Sequence, residues 1–270
     1  MKYKMVCSDL DGTLLVSGGE PCDGLKEGIK EYEKRGGKFV VVTGRMTAGA
    51  LPICKMLDLK GELITYQGAI ISDIESGKIV FEKTIPYEKA AEIGRFIEEN
   101  GWYYQTYINN TFYTEKPDDF TKFYGKISYA KYEKTDGKLS DFLLKTKVNV
   151  PKLLIKDDPK NIPEILRKVR EKFGNDYMTN VSNPSLVEII DKSVGKGLAV
   201  KSLAEKHGIK REEVLCIGDS ENDLTMIEYA GLGVCVKNGS EILKKNADFI
   251  TPKTCEENAV LWAIENLAEK

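Results

Sequence analysis

The sequence predicts an α/β protein: a doubly wound, parallel-sheet core interrupted by an α+β insert. Two observations carry this. Short, continuous apolar runs alternate with amphipathic stretches at both ends of the chain, as in βαβ units whose strands are covered on both faces. The middle has a different texture, rich in Tyr and Lys, with alternating rather than continuous patterns.

In the first part, residues 3–8 read as a strand. Leu25, Ile29 and Tyr32 follow helical spacing, and Gly36-Gly37 ends that helix. Residues 39–42 form an apolar, largely β-branched strand, 51–57 a helix and 63–66 a further strand. In the last part, Ala199 and Leu203 lie on a helix stopped by Gly208. Residues 214–217 are a buried strand, Leu224 and Ile227 mark the next helix, and 233–236 another strand. Val260, Ile264 and Leu267 mark a closing helix. Between these parts, 102–108 and 111–114 read as a hairpin about Asn109-Asn110. Ile162, Ile165, Leu166, Val169 and Phe173 give an amphipathic helix. Pro86 and Pro184 stand near the edges of this block, so the expected division is 1–84 with 187–270 as core and 85–186 as insert.

At 270 residues the chain can bury a substantial core. A net charge of −2 gives no electrostatic case for a nucleic-acid or anionic-membrane partner. No apolar run approaches a membrane span, and the N-terminus leads straight into a strand, so a cytoplasmic location is expected. The six cysteines are scattered without CxxC spacing and read as small buried hydrophobes in a reducing compartment. His207 is the only histidine, which argues against a zinc site and against Ser-His-Asp or Cys-His hydrolases. It reads as a helix C-terminal residue, favoured there by the helix dipole.

Ligand sites in open α/β sheets lie beyond the carboxyl ends of the strands. Four polar groups fall there: Asp9-Leu10-Asp11-Gly12-Thr13-Leu14, Thr43-Gly44-Arg45, Lys196-Gly197, and Gly218-Asp219-Ser220-Glu221-Asn222-Asp223. Two carboxylates two residues apart on an extended segment share one side and raise each other's pKa. Such a pair calls for a cation between them or a proton on one, and metal-assisted phosphoryl transfer through an aspartyl intermediate needs both. If all are ionised, Asp9, Asp11, Asp219 and Asp223 outweigh Lys196 by about three charges before a phosphate arrives. A divalent cation is therefore required, and all-oxygen ligands favour Mg²⁺.

In these four motifs and in the position of the insert, the chain resembles haloacid dehalogenase superfamily phosphatases of the Cof type, the class with the larger α/β cap. The resemblance implies a Rossmann-like core, an inserted cap over 85–186, and a Mg²⁺-dependent phosphomonoesterase acting on a small-molecule phosphate ester. It implies Asp9 as nucleophile, Asp11 as general acid and then base, and Lys196 as the group that neutralises Asp9 and the phosphoryl group. Thr43 and Asn222 would hydrogen-bond the phosphate, with Gly12, Gly44 and Arg45 also in the substrate set. Asp219 would bind the metal with an Asp9 oxygen and the Asp11 backbone carbonyl, while Asp223 would position Lys196 or metal-bound water. The chain departs from the Cof pattern at Gln67-Gly68-Ala69, where the family commonly has Asn-Gly-Ala, and at Gly195, where a serine commonly precedes the lysine. Sugar phosphates lead as substrates, with flavin mononucleotide or pyridoxal phosphate as alternatives. A phosphomutase and a non-catalytic phosphate- or metal-binding module remain open, as do monomer and homodimer.

Overall fold

The computed structural model describes residues 1–17, 19–127 and 130–268. The chain begins β1 (Met5–Ser8), α1 (Leu25–Lys34), β2 (Lys38–Val42), α2 (Thr47–Met56), β3 (Glu62–Thr65), β4 (Ile70–Asp73) and β5 (Ile79–Glu82). It continues through α3 (Tyr87–Glu99), β6 (Tyr103–Ile108), β7 (Thr111–Thr114), α4 (Asp119–Ile127), β8 (Lys131–Lys134), α5 (Leu139–Thr146), β9 (Leu153–Lys156), α6 (Ile162–Phe173), β10 (Tyr177–Asn183) and β11 (Leu186–Asp191). The last stretch holds α7 (Lys196–Lys206), β12 (Val214–Gly218), α8 (Leu224–Tyr229), β13 (Leu232–Cys235), α9 (Glu241–Asn246), β14 (Phe249–Ile250) and α10 (Ala259–Ala263). Two compact units result: Met1–Gly44 with Ala50–Val80 and Gly195–Lys270, and Arg45–Gly49 with Phe81–Val194. Among the described residues, no helix is long and apolar enough to cross a membrane.

The first unit is built on an eight-stranded sheet of order β14-β13-β12-β1-β2-β3-β4-β5. From β14 to β3 every pairing is parallel, and β3–β4 is antiparallel. The continuous apolar runs have a simple cause: both faces are covered. Val6, Val41 and Leu215 face a core with Leu25, Ile29 and Tyr32 of α1 and Ala259, Val260 and Ala263 of α10. Met5, Cys7, Val40, Val42 and Cys216 face a second core with α7, α8 and α9. Each such side chain taken fully out of water stabilises the fold by about 1.5–3 kcal/mol. The α1 stop also has a steric cause beyond the left-handed Gly36, since a Cβ on Gly37 would lie 2.4 Å from the Tyr32 ring. Two helices differ from the sequence reading. One starts earlier, at Thr47, and tolerates Pro52 inside it. The closing helix changes to a π-turn over Ile264–Ala268 after α10. All six cysteines are thiols, and Cys22 alone is half-buried rather than buried. His207 caps α7 as expected, and its Nε2 also lies 2.9 Å from Glu62 Oε1. Burial pushes the Glu62 carboxyl up, but hydrogen bonds from Lys206 and His207 and the Lys38 charge outweigh it and hold the group at about 2.

The second unit holds a six-stranded sheet of order β10-β11-β9-β6-β7-β8, antiparallel except for β7–β8. Asn109 and Asn110 turn β6 into β7 with φ of 48° and 60°, the left-handed pair that a two-residue hairpin requires. One sheet face supplies Tyr104, Ile108, Leu153, Ile155, Val187 and Ile189 to an apolar core with α3, α5 and α6. The alternate residues form a polar face. There Lys152 Nζ donates to Glu188 Oε1 at 2.6 Å, and both side chains are at least 96% buried. Burial works against the Lys152 charge, yet the Glu188 carboxylate prevails and raises its pKa.

Removing one member of this pair leaves the other buried without its counter-charge. Glu188→Ala is expected to destabilise the protein by about 3–5 kcal/mol in urea unfolding, whereas Lys152→Met with Glu188→Leu should cost little or stabilise. Equal losses in the single and double variants would show that the pair is not the source.

Candidate active site

Apart from Arg45, the four polar motifs lie in the first unit, and its topology explains why residues far apart in sequence meet. β1 and β12 are parallel neighbours, with Ser8 opposite Ile217, so the segments that leave their carboxyl ends run side by side. Asp9 follows β1 and Asp219 follows β12, and Asp9 N–H still donates to the Ile217 carbonyl at 2.9 Å. Lys196 is the first residue of α7 and is buried, so its ammonium is held where α7 begins.

The centre is an ion cluster. Lys196 Nζ donates to Asp9 Oδ1 at 2.6 Å and to Asp223 Oδ1 at 2.5 Å, with all three side chains buried. The carboxylates of Asp9, Asp219 and Asp223 each place an oxygen within 4.8 Å of the others. Asp223 is fully occupied, because its Oδ2 accepts the backbone N–H groups of Asp219 at 3.0 Å and Ser220 at 3.1 Å. Asp219 Oδ1 accepts from Thr13 Oγ1 at 3.1 Å. Among the described residues, no protein donor meets Asp9 Oδ2 or Asp219 Oδ2.

Close backbone approaches fix this arrangement. A Cβ on Gly12, which has φ +76°, would lie 2.7 Å from Asp219 Oδ2. One on Gly218 would lie 2.6 Å from Asp223. Thr43 follows β2 and is buried, and its carbonyl accepts from Gln67 N–H at 3.1 Å. A Cβ on Gly44 would strike the Gln67 amide at 2.3 Å, and Asn222 Nδ2 donates to Gln67 Oε1 at 3.4 Å. Gln67 thus joins the loop after β2 to the loop after β12. Its left-handed φ of 59° follows from the turn between β3 and β4.

The structure does not bring every expected residue into the cluster. The Asp11 side chain is exposed and outside the carboxylate trio. Arg45 belongs to the second unit, where Nη1 lies 3.5 Å from the Gly49 carbonyl oxygen. Asn238 was not expected at all. Its Nδ2 donates to the Gly12 carbonyl at 2.8 Å and its Oδ1 accepts from Cys255 N–H at 2.8 Å, which ties down the loop after β1. Nothing near Asn238 in the sequence signals this, whereas Thr13 lies inside the first motif and Gln67 in the stretch where the chain departs from the Cof pattern.

The electrostatics show a deficit of positive charge. Burial raises the Asp9 pKa well above the usual carboxylate range, the Asp223 charge adds to this, and Lys196 opposes both. Burial and then the Asp223 charge push Asp219 up to about 6, against Lys196 and the Thr13 hydrogen bond. Lys196 is raised, because the carboxylates of Asp223 and Asp9 outweigh its own desolvation. Three carboxylates around one ammonium, with two unoccupied oxygens, fit a hard divalent cation.

A mostly parallel sheet covered on both faces, with this acidic centre at its strand ends, is a Rossmann-like α/β core whose site suits phosphoryl chemistry. A family model for haloacid dehalogenase-like hydrolases matches residues 6–264, and the chain belongs to that family. It is 32% identical to the crystal structure of TM0651 from Thermotoga maritima, with a TM-score of 0.82 and coverage of 98% of this chain and 97% of that one. It is 30% identical to a haloacid dehalogenase-like hydrolase from Bacteroides thetaiotaomicron, with a TM-score of 0.86 and coverage of 98% and 100%. It is 28% identical to 5-amino-6-(5-phospho-D-ribitylamino)uracil phosphatase YcsE of Bacillus subtilis (strain 168), over 94% of this chain and 92% of that protein. The protein is a Cof-type phosphatase of this family.

A carboxyl group whose pKa rises on folding favours the fold when protonated, and that contribution is lost as pH rises through the folded value. For Asp219 the window runs from the ordinary 3.8 to about 6. Melting temperature in EDTA should therefore fall between those pH values, and a divalent cation should restore it at pH 7 more than at pH 4. Asp219→Asn should shrink both effects. An unchanged pH profile in that variant would contradict the assignment.

Proposed function

We propose that this phosphatase hydrolyses phosphate monoesters of small metabolites, sugar phosphates foremost, through an aspartyl-phosphate on Asp9 with Mg²⁺ as cofactor. The observation that carries this is the asymmetric state of Asp9: one oxygen is held by Lys196, and among the described residues the other has no protein donor. An open oxygen on a held carboxylate suits a nucleophile or a metal ligand, and of the two such carboxylates Asp9 is the one held by the buried ammonium. The phosphorylated substrate named for the Bacillus subtilis relative supports a small phosphate ester.

In the first step an Asp9 oxygen bonds to phosphorus and the bond from phosphorus to the ester oxygen breaks. Asp11 gives its proton to the departing alkoxide. In the second step water attacks phosphorus, Asp11 takes the water's proton, and the bond to Asp9 breaks to release inorganic phosphate. Lys196 remains against Asp9 and offsets the phosphoryl charge. Thr43 and Asn222 donate to phosphate oxygens, and Gly12, Gly44 and Arg45 complete the substrate set. Asp9, Asp219 and the Asp11 backbone carbonyl would hold Mg²⁺, which offsets negative charge and polarises the phosphoryl group when bound. Asp223, with both oxygens occupied, positions Lys196. We take 1–84 with 187–270 as the catalytic core and 85–186 as the cap in which leaving-group preference is encoded.

The test is phosphate release from a panel of phosphorylated metabolites with Mg²⁺. Asp9→Asn should lower kcat at least about 1,000-fold, since nucleophile and chemistry are lost together. Asp11→Asn should lower it by about 10²–10⁴-fold. EDTA should abolish turnover, and Mg²⁺ should restore it. Full activity in Asp9→Asn or in EDTA would overturn the mechanism.

A further inference from the structure

The eight-stranded sheet ends at β5, and nothing in the activity accounts for that edge. Ile79, Val80 and Phe81 are 48%, 45% and 42% exposed, three consecutive large apolar residues on an outermost strand. Edge strands are ordinarily guarded by charge, proline or a bulge, because their unpaired backbone groups template another strand. The charges here, Lys78 and Glu82, stand four residues apart with opposite sign on either side of the apolar trio.

Backbone geometry limits how a second strand can pair. The Lys78 carbonyl accepts from Asp73 N–H at 2.8 Å, so it points toward β4. By strand alternation the backbone groups of Val80 and Glu82 also point inward, and those of Ile79 and Phe81 point outward. An antiparallel partner must therefore pair through Ile79 and Phe81. We propose that β5 pairs with β5 of a second copy of this chain, antiparallel about a two-fold axis at Val80.

That register sets Val80 opposite Val80, Ile79 opposite Phe81 and Lys78 opposite Glu82. The Ile79 and Phe81 pairs exchange N–H and C=O groups, which gives a symmetric ladder. Their side chains fall on one face as a continuous apolar strip. The other face carries two Lys78–Glu82 pairs around the valines. The next allowed register, centred on Phe81, sets Val80 against Glu82 and Ile79 against Lys83. Only the Val80-centred register matches apolar with apolar and charge with opposite charge. The interface is isologous, so it closes at two copies. It is also short, so association is weak and concentration-dependent.

Sedimentation velocity and light scattering of the full chain, from roughly 1 µM to 1 mM, read the equilibrium directly. Wild type should pass from monomer to dimer. Lys78→Glu and Glu82→Lys each set like charges opposite one another twice, and each alone should raise the dimer dissociation constant at least about tenfold. An equimolar mixture of the two variants restores both charge pairs and should dimerise as wild type does, as should the double exchange. Phosphate release per chain should be unchanged in all of them, which shows that they are folded. A monomer at every concentration, open-ended aggregates in place of a dimer, or a dimer insensitive to either single reversal would overturn the proposal. So would a mixture that stays monomeric.

Discussion

The buried ammonium of Lys196 is the interaction on which the site depends. It lies within hydrogen-bond reach of two carboxylates that arrive from positions 9 and 223, and it is the cation that makes their burial tolerable. Without it, three carboxylates would be crowded in a low-dielectric pocket, where an uncompensated charge costs several kcal/mol. Its own position is set by packing. A Cβ on Gly197 would lie 2.2 Å from the Thr225 carbonyl, and one on Gly68 would lie 2.5 Å from that of Gly195. The start of α7 is thus seated by backbone contact on both sides, and the lysine has little freedom to leave the carboxylates.

The carboxylates divide their work by hydrogen bonding rather than by residue type. Asp223 accepts three donors, Lys196 and the backbone groups of Asp219 and Ser220, and serves as a fixed anchor. Asp9 and Asp219 each accept one side-chain donor and keep one oxygen open. The same side chain therefore serves as a fixed anchor in one place and, among the described residues, keeps an oxygen available in the other two. The loops that decide this are pinned from outside the motifs, by Gln67 on one side and Asn238 on the other.

Much of this was legible in the sequence where the cause is local. The apolar runs at Val6, Val40 and Leu215 announce strands covered on both faces, and Asn109-Asn110 announces a turn through its tolerance of the left-handed region. The motifs were legible because their spacing after strands is itself the geometry of the site. What could not be read depends on distant partners. β8, Lys-Tyr-Glu-Lys, is wholly exposed and has no apolar period, so only its pairing with β7 makes it a strand. β4 is defined by its antiparallel pairing back on β3, and β5 is exposed along its whole length rather than buried. Asn238 reaches residue 12, a long-range contact with no local pattern.

The two buried lysines among the described residues, Lys152 and Lys196, stand in different charge balances. Lys152 meets Glu188, one charge against one, with the Tyr107 ring 5.0 Å from its ammonium. That pair is balanced, and nothing in it asks for a further ion. Lys196 meets the same kind of burial but faces an excess of carboxylate, and burial together with that excess raises the Asp9 and Asp219 pKa values. The imbalance is therefore the informative feature: it leaves the folded protein short of positive charge where the proposed phosphoryl chemistry would need a cation.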